Sequence, residues 1–161
     1  MGRTQAHGEF TIQRHSTAGQ PGAVALAAHG LNVQPRRMGP LIDLLTANGI
    51  EVVSIALHGH GENYVRRPGL TEAEARLESL RSVTYRLWCD EFHAAYRVAA
   101  LRAAQLGGIP LHFLGYSLGG LIGCDLLASA ADVRFDRMAL FAPALRICLL
   151  SQAYPPHKFD G

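Results

Sequence analysis

The chain has 161 residues, 48% of them hydrophobic and 17% charged, with a formal net charge of +2. That length is one domain's worth with a buried core, and that composition excludes a disordered chain. The charge is too small, and the basic residues beyond Arg36-Arg37 and Arg66-Arg67 too scattered, for nucleic acid or an anionic membrane surface to be the partner.

Residues 8–15 (GEFTIQRH) alternate around Phe10 and Ile12, which predicts an exposed or edge strand. The wholly apolar run 23–28 (AVALAA) suits a strand covered on both faces and ends at His29-Gly30. Met38, Leu41, Ile42 and Leu45 recur at helical spacing, and Asn48-Gly49 supplies the stop. A second buried strand is expected at 51–57 (EVVSIAL), followed by the glycine-rich turn HGHGEN. The polar stretch 64–82 holds one helical start, TEAEA at Thr71. A long helix, about 84–106, presents Trp88, Phe92, Ala95, Tyr96, Ala99 and Ala103 on one face, and Gly107-Gly108 ends it. That shared face assigns the three aromatics to the core. A third buried strand covers 109–114 (IPLHFL), a helix follows from LIGCDLLASA, and a fourth buried strand begins at 137 (RMALFAPAL).

Strand and helix alternating at this rhythm predict an α/β fold: a mostly parallel, doubly wound sheet with helices on both faces, as a single domain over 1–161. Sites in such sheets lie beyond the carboxyl ends of the strands. His29-Gly30, the HGHG turn and Gly115–Gly120 all fall there and are expected to meet in space.

Between the third strand and its helix the chain reads Gly115-Tyr116-Ser117-Leu118-Gly119, the pattern G-x-S-x-G. Its mechanics require a sharp strand-to-helix bend with the serine in a strained backbone conformation. Side chains two positions either side would collide across the bend, hence Gly115 and Gly119. A third glycine, Gly120, stands where helix and strand pack closely. The helix N-terminus would face the serine with free N–H groups. The bland reading is a serine that merely caps its helix. His29-Gly30 after the first buried strand could aim a second N–H at the same point. The expected donors are the amides of Leu31 and Leu118.

With HGLN after one strand, LHGHGEN after the next and LGYSLGG after the third, the chain resembles the α/β-hydrolase family over about residues 8–146. The nearest likeness is to its monoacylglycerol lipase, lysophospholipase and serine-peptidase-like branch. The resemblance implies Ser117 as catalytic nucleophile, the Leu31 and Leu118 amides as oxyanion hole, and His29, Gly30, Gly115 and Gly119 as supporting residues. It implies hydrolysis of a carboxylester, thioester or lipid acyl bond through an acyl-enzyme, with no cofactor and no metal. In that family the acid and then the histidine follow the serine, on later strands. Only 44 residues follow Ser117 here, so the chain reads as lacking the C-terminal part. Asp132 and Asp136 precede the last strand and should lie at the wrong end of the sheet. His157 is the one histidine after the serine, a candidate base in the tail near Asp160. The roles of His58 and His60 are read as shaping their turn.

The alternatives are a hydrolase-like domain without turnover, acting as a binding or assembly module, and an anion site at the helix N-terminus. Against the latter, the loop lacks the lysine of a P-loop and lacks G-x-G-x-x-G. The unpaired apolar edge expected at 137–145 suits a homo-oligomer or pairing with further strands. Three cysteines, Cys89, Cys124 and Cys148, do not make a disulfide framework. No signal peptide or membrane span is read, and a cytoplasmic location is expected by default. The expected partner is a small or lipid-like acyl substrate.

Overall fold

The computed structural model describes the backbone of residues 4–7 and the full residues 10–143. The strands are β1 Thr4–His7, β2 Phe10–His15, β3 Ala23–Ala28, β4 Ile50–Ala56, β5 Leu111–Tyr116 and β6 Arg137–Phe141. The helices are α1 Gly39–Ala47, α2 Glu72–Arg81, α3 Tyr85–Gln105 and α4 Leu118–Ser129, with a 3₁₀ turn at Pro35–Met38. One six-stranded sheet runs in the order β1-β2-β4-β3-β5-β6. β3 pairs in parallel with β4 and β5, and β5 with β6, whereas β1 and β2 form an antiparallel flap on β4.

Alternation along the central strands separates two cores. Val24, Leu26, Val53, Ile55 and Phe113 point toward α3 and α4, where they meet Trp88, Phe92, Ala99 and Ile122. Ala25, Ala27, Val52 and Leu114 point the other way, onto Met38 and Ile42 of α1 and its approach. The expected doubly wound arrangement is therefore present, with every residue of β3 buried. On α3 the six residues of the expected apolar stripe are all buried.

Two expectations need correction, at β2 and β6, and the helical start at Thr71 is borne out and extended. β2 is not the edge; β1 lies outside it, and TQAH carries no alternation from which a strand could be read. The charged stretch after Tyr64 holds a ten-residue helix, α2, opened by a reciprocal cap in which Thr71 and Glu74 satisfy each other's backbone N–H. β6 is not buried: it is the edge strand of the described sheet, with Leu140 39% and Phe141 44% exposed. Its apolar sequence reports what the strand could bury; the neighbours decide what it does bury. Among the described residues no helix is long and apolar enough to cross a membrane.

Candidate active site

The parallel strands β3, β4 and β5 deliver three turns to one end of the sheet. Ser117 sits between β5 and α4 with φ 49° and ψ −112°, one of two non-glycine residues with positive φ among those described. Holding an L-residue there costs about 1–3 kcal/mol, which the surroundings must supply. They do so at both ends of the residue. The Ser117 N–H donates to the Phe141 carbonyl at the end of β6 (2.9 Å), and its own carbonyl accepts from Leu121 to start α4 (3.2 Å). Its side chain makes no capping bond to α4.

The glycines flanking the serine do not face each other, as the sequence pattern suggested. A Cβ at Gly115 would come within 2.7 Å of both the Gly120 Cα and the Phe113 ring, so Gly115 is what lets α4 lie against β5. One at Gly119 would meet the carbonyls of Ala28 and His29 at 2.6 and 2.7 Å. Gly119 thus lets the α4 N-terminus touch the end of β3, where its N–H donates to the His29 carbonyl (3.1 Å). A Cβ at Gly30 would press on the Tyr116 ring and the Ser117 Cβ, at 2.9 and 3.0 Å. The loop after β3 therefore abuts the serine. Among the described residues, neither the Leu31 nor the Leu118 N–H is taken by a turn, loop or side-chain acceptor.

Two buried histidines brace this loop. The Leu57 N–H donates to His29 Nε2 (3.1 Å), which leaves the proton on Nδ1, donated to the Gly30 carbonyl (2.9 Å). Burial lowers the His29 pKa to about 4, helped by the adjacent His60 and opposed by the bond to Gly30. His60 Nε2 donates to the Leu31 carbonyl (2.8 Å), and the two rings lie 4.6 Å apart. Burial lowers the His60 pKa as well, against the pull of the surrounding carbonyls. Neither imidazole is available to Ser117, and among the described residues no histidine bonds to that serine.

The state of His29 makes stability depend on pH. The unfolded chain takes a proton at this ring below its ordinary 6.5, and the folded chain does so only near 4. Stability is therefore full above pH 6.5 and falls as pH drops from there toward 4. Urea midpoints measured across that window should fall less steeply in His29→Gln than in the wild type, by up to one proton's worth of slope.

The expected wrong-end acids are where the sequence placed them. Asp136 accepts from the Leu111 N–H at the start of β5 (2.7 Å), one strand length, roughly 20 Å, from Ser117. Asp132 pairs with His93 at the surface (3.2 Å). His157, Asp160 and Cys148 lie outside the described residues. A second serine–histidine contact, Ser54 with His15 Nε2 (2.8 Å), borders a cleft of about 200 Å³ shared with Arg36. It lies mid-sheet, where β4 is paired on both sides, so no free amides converge there. Cys89 is no rival nucleophile, because burial and then the Asp125 charge push its thiol up to about 11. No group of metal-ligating side chains forms among the described residues.

The family model for serine aminopeptidase S33 matches residues 19–159. The chain belongs to this family of α/β hydrolases.

Solved structures agree on the fold of this S33-type hydrolase. A soluble variant of monoglyceride lipase from Saccharomyces cerevisiae superposes with a TM-score of 0.68, at 18% identity over 98% of this chain and 48% of its own. A thermostable carboxyl esterase from Bacillus coagulans gives 0.64 at 15% identity, covering 87% of this chain and 43% of its own. The chain thus spans about half the length of these structures. No curated protein matches it.

The sequence located Ser117, Gly115, Gly119, His29, Gly30, Leu31 and Leu118, and the structure brings all seven together. What it did not reveal is the bond from His60 to the loop after β3. The available signal was that both His-Gly turns end neighbouring parallel strands.

Proposed function

We propose that this S33-type α/β hydrolase is a serine hydrolase acting on an ester-type bond of a mainly apolar acyl substrate, with Ser117 as nucleophile. The observation that carries the reading is the backbone of Ser117: strained, seated at the helix N-terminus, with a hydroxyl that does not cap α4. The Ser117 Oγ attacks the acyl carbon, its proton passes to a base, and the carbonyl oxygen becomes an oxyanion. The amides of Leu31 and Leu118 stabilise that oxyanion, with the α4 dipole adding to the second. Collapse expels the alcohol or thiol, which takes the proton, and water then releases the acid by the reverse sequence. The base and its carboxylate partner are not among the described residues near Ser117. The ester-type substrate is supported by the names of the lipase and esterase whose fold the chain shares.

The test is a fluorophosphonate probe on the purified chain, with the adduct mapped by mass spectrometry. Labelling at Ser117, absent in Ser117→Ala, is the expected result. A folded, monodisperse sample that takes no label at Ser117 overturns the reading. Thermal stabilisation by inorganic phosphate in place of an adduct would point to an anion site instead.

A further inference from the structure

The loop after β3 belongs to no helix or strand, yet Leu31 must hold one orientation if its amide is to meet a developing charge. A residue's orientation is fixed once the peptide planes on both sides of it are fixed, since only φ and ψ are soft between them. At Leu31 both planes are held by hydrogen bonds, the first from within the loop, where Val33 also donates to the Gly30 carbonyl (3.2 Å), and the second from outside it. The carbonyl of the plane before it, on Gly30, accepts from His29 Nδ1 (2.9 Å). The carbonyl of the plane after it, its own, accepts from His60 Nε2 (2.8 Å). In a trans peptide the N–H points opposite to the carbonyl, so anchoring the Gly30 carbonyl also aims the Leu31 N–H.

His60 is itself anchored. With its proton on Nε2 the ring donates nothing from Nδ1, but the backbone two residues before it is held: the His58 carbonyl accepts the Trp88 indole N–H (3.1 Å). The His58 N–H donates to the buried carboxylate of Glu91 (3.0 Å). Both polar groups of the His58 peptide backbone are thus held by α3. His60 is 6% exposed, and its ring packs between the His29 and Trp88 rings, at 4.6 and 5.7 Å, which prevents it from swinging away.

We propose that His60 is a positioning residue for the Leu31 amide, holding it through the Leu31 carbonyl and tying it to α3 through the His58 peptide. The role rests on the hydrolase reading given above, because only a developing oxyanion needs that amide fixed. His60 touches neither substrate nor Ser117 and takes no proton in the reaction.

The experiment compares the wild type, His60→Gln and His60→Leu. Glutamine keeps an N–H donor at similar reach; leucine keeps bulk and loses the donor. In His60→Leu the rate constant for fluorophosphonate labelling of Ser117 should fall roughly 10- to 100-fold, the scale of a slightly misplaced catalytic group. Initial probe affinity should change much less, and His60→Gln should recover most of the rate. Amide hydrogen exchange by NMR gives an independent reading: Val33, whose N–H donates to the Gly30 carbonyl (3.2 Å), should exchange at least about tenfold faster in His60→Leu, while Leu121, bonded to the Ser117 carbonyl, stays unchanged. A folded His60→Leu that labels at the wild-type rate overturns the proposal. So does a His60→Gln variant that is as slow as His60→Leu. If the wild type itself takes no label, the hydrolase reading fails, and the exchange of Val33 alone decides whether His60 holds the loop.

Discussion

Gly119→Ala is expected to destabilise the chain by about 3 kcal/mol or more and to remove the reactivity of Ser117. The added carbon would lie 2.6 Å from the Ala28 carbonyl oxygen and 2.7 Å from that of His29. Carbon and oxygen settle no closer than about 3.3 Å, so something must move by more than half an ångström. β3 cannot retreat, because β4 and β5 hold it on both sides. α4 must therefore lift, yet it is seated on Phe113 so tightly that a Cβ at Gly123 would fall 2.3 Å from that ring. Lifting it stretches the bond from the Gly119 N–H to His29 and turns the Leu118 amide away from the serine. Overpacking of this kind costs about 1–3 kcal/mol, and a weakened buried hydrogen bond adds about 1. The control is Gly39→Ala, where a Cβ meets nothing within 4 Å and the backbone is already helical. That variant should be neutral or slightly stabilised. Urea midpoints and fluorophosphonate labelling rates, measured on both variants, check the pair of outcomes. A Gly119→Ala chain that keeps wild-type stability and labelling would mean that α4 does not rest on β3.

How much of this could be read beforehand follows from the range over which each residue acts. The buried stripe of α3 repeats every three or four residues, so its period is visible in the sequence alone. β3 is also legible, since six consecutive apolar residues can only be satisfied by cover on both faces. β6 carries nearly the same signal and is exposed, because cover is supplied by other parts of the chain and leaves no trace in the strand. The G-x-S-x-G bend was legible because its mechanics are local. The reason for Gly119 was not, since the atoms it must avoid are those of Ala28 and His29, some ninety positions earlier. The His60–Leu31 bond is hidden for the same reason: the partners lie on turns after different strands, and only the parallel pairing of β3 with β4 brings them together.

The other interaction that no local pattern reveals is the ion pair of Glu51, a lone charge inside an apolar strand. Glu51 on β4 is 2% exposed, and Arg102 of α3 grips both its oxygens, Nε to Oε1 at 2.6 Å and the terminal nitrogen to Oε2 at 2.9 Å. Arg14 adds a longer contact at 3.7 Å from a partly exposed position. Arg102→Met should destabilise the chain by about 3 kcal/mol, because it leaves a buried carboxylate with only the distant Arg14 to offset its lost hydration. Arg102→Lys keeps the charge but loses the paired geometry, and should fall between the two. Replacing both partners by methionine removes the stranded charge along with its counterion, so Glu51→Met/Arg102→Met should recover most of the loss. Urea midpoints of the four proteins test this, and an Arg102→Met midpoint equal to that of the wild type would show that Arg14 or water satisfies Glu51 unaided. The functional consequence should be the opposite of that at Gly119. Arg102 lies eleven residues along α3 from Glu91, about 16 Å from the part of the helix that holds the His58 peptide. At a temperature where Arg102→Met is still folded, Ser117 should therefore label at close to the wild-type rate: the pair secures α3 at the far end of the sheet, and the geometry around the serine is set by the turns at the near end.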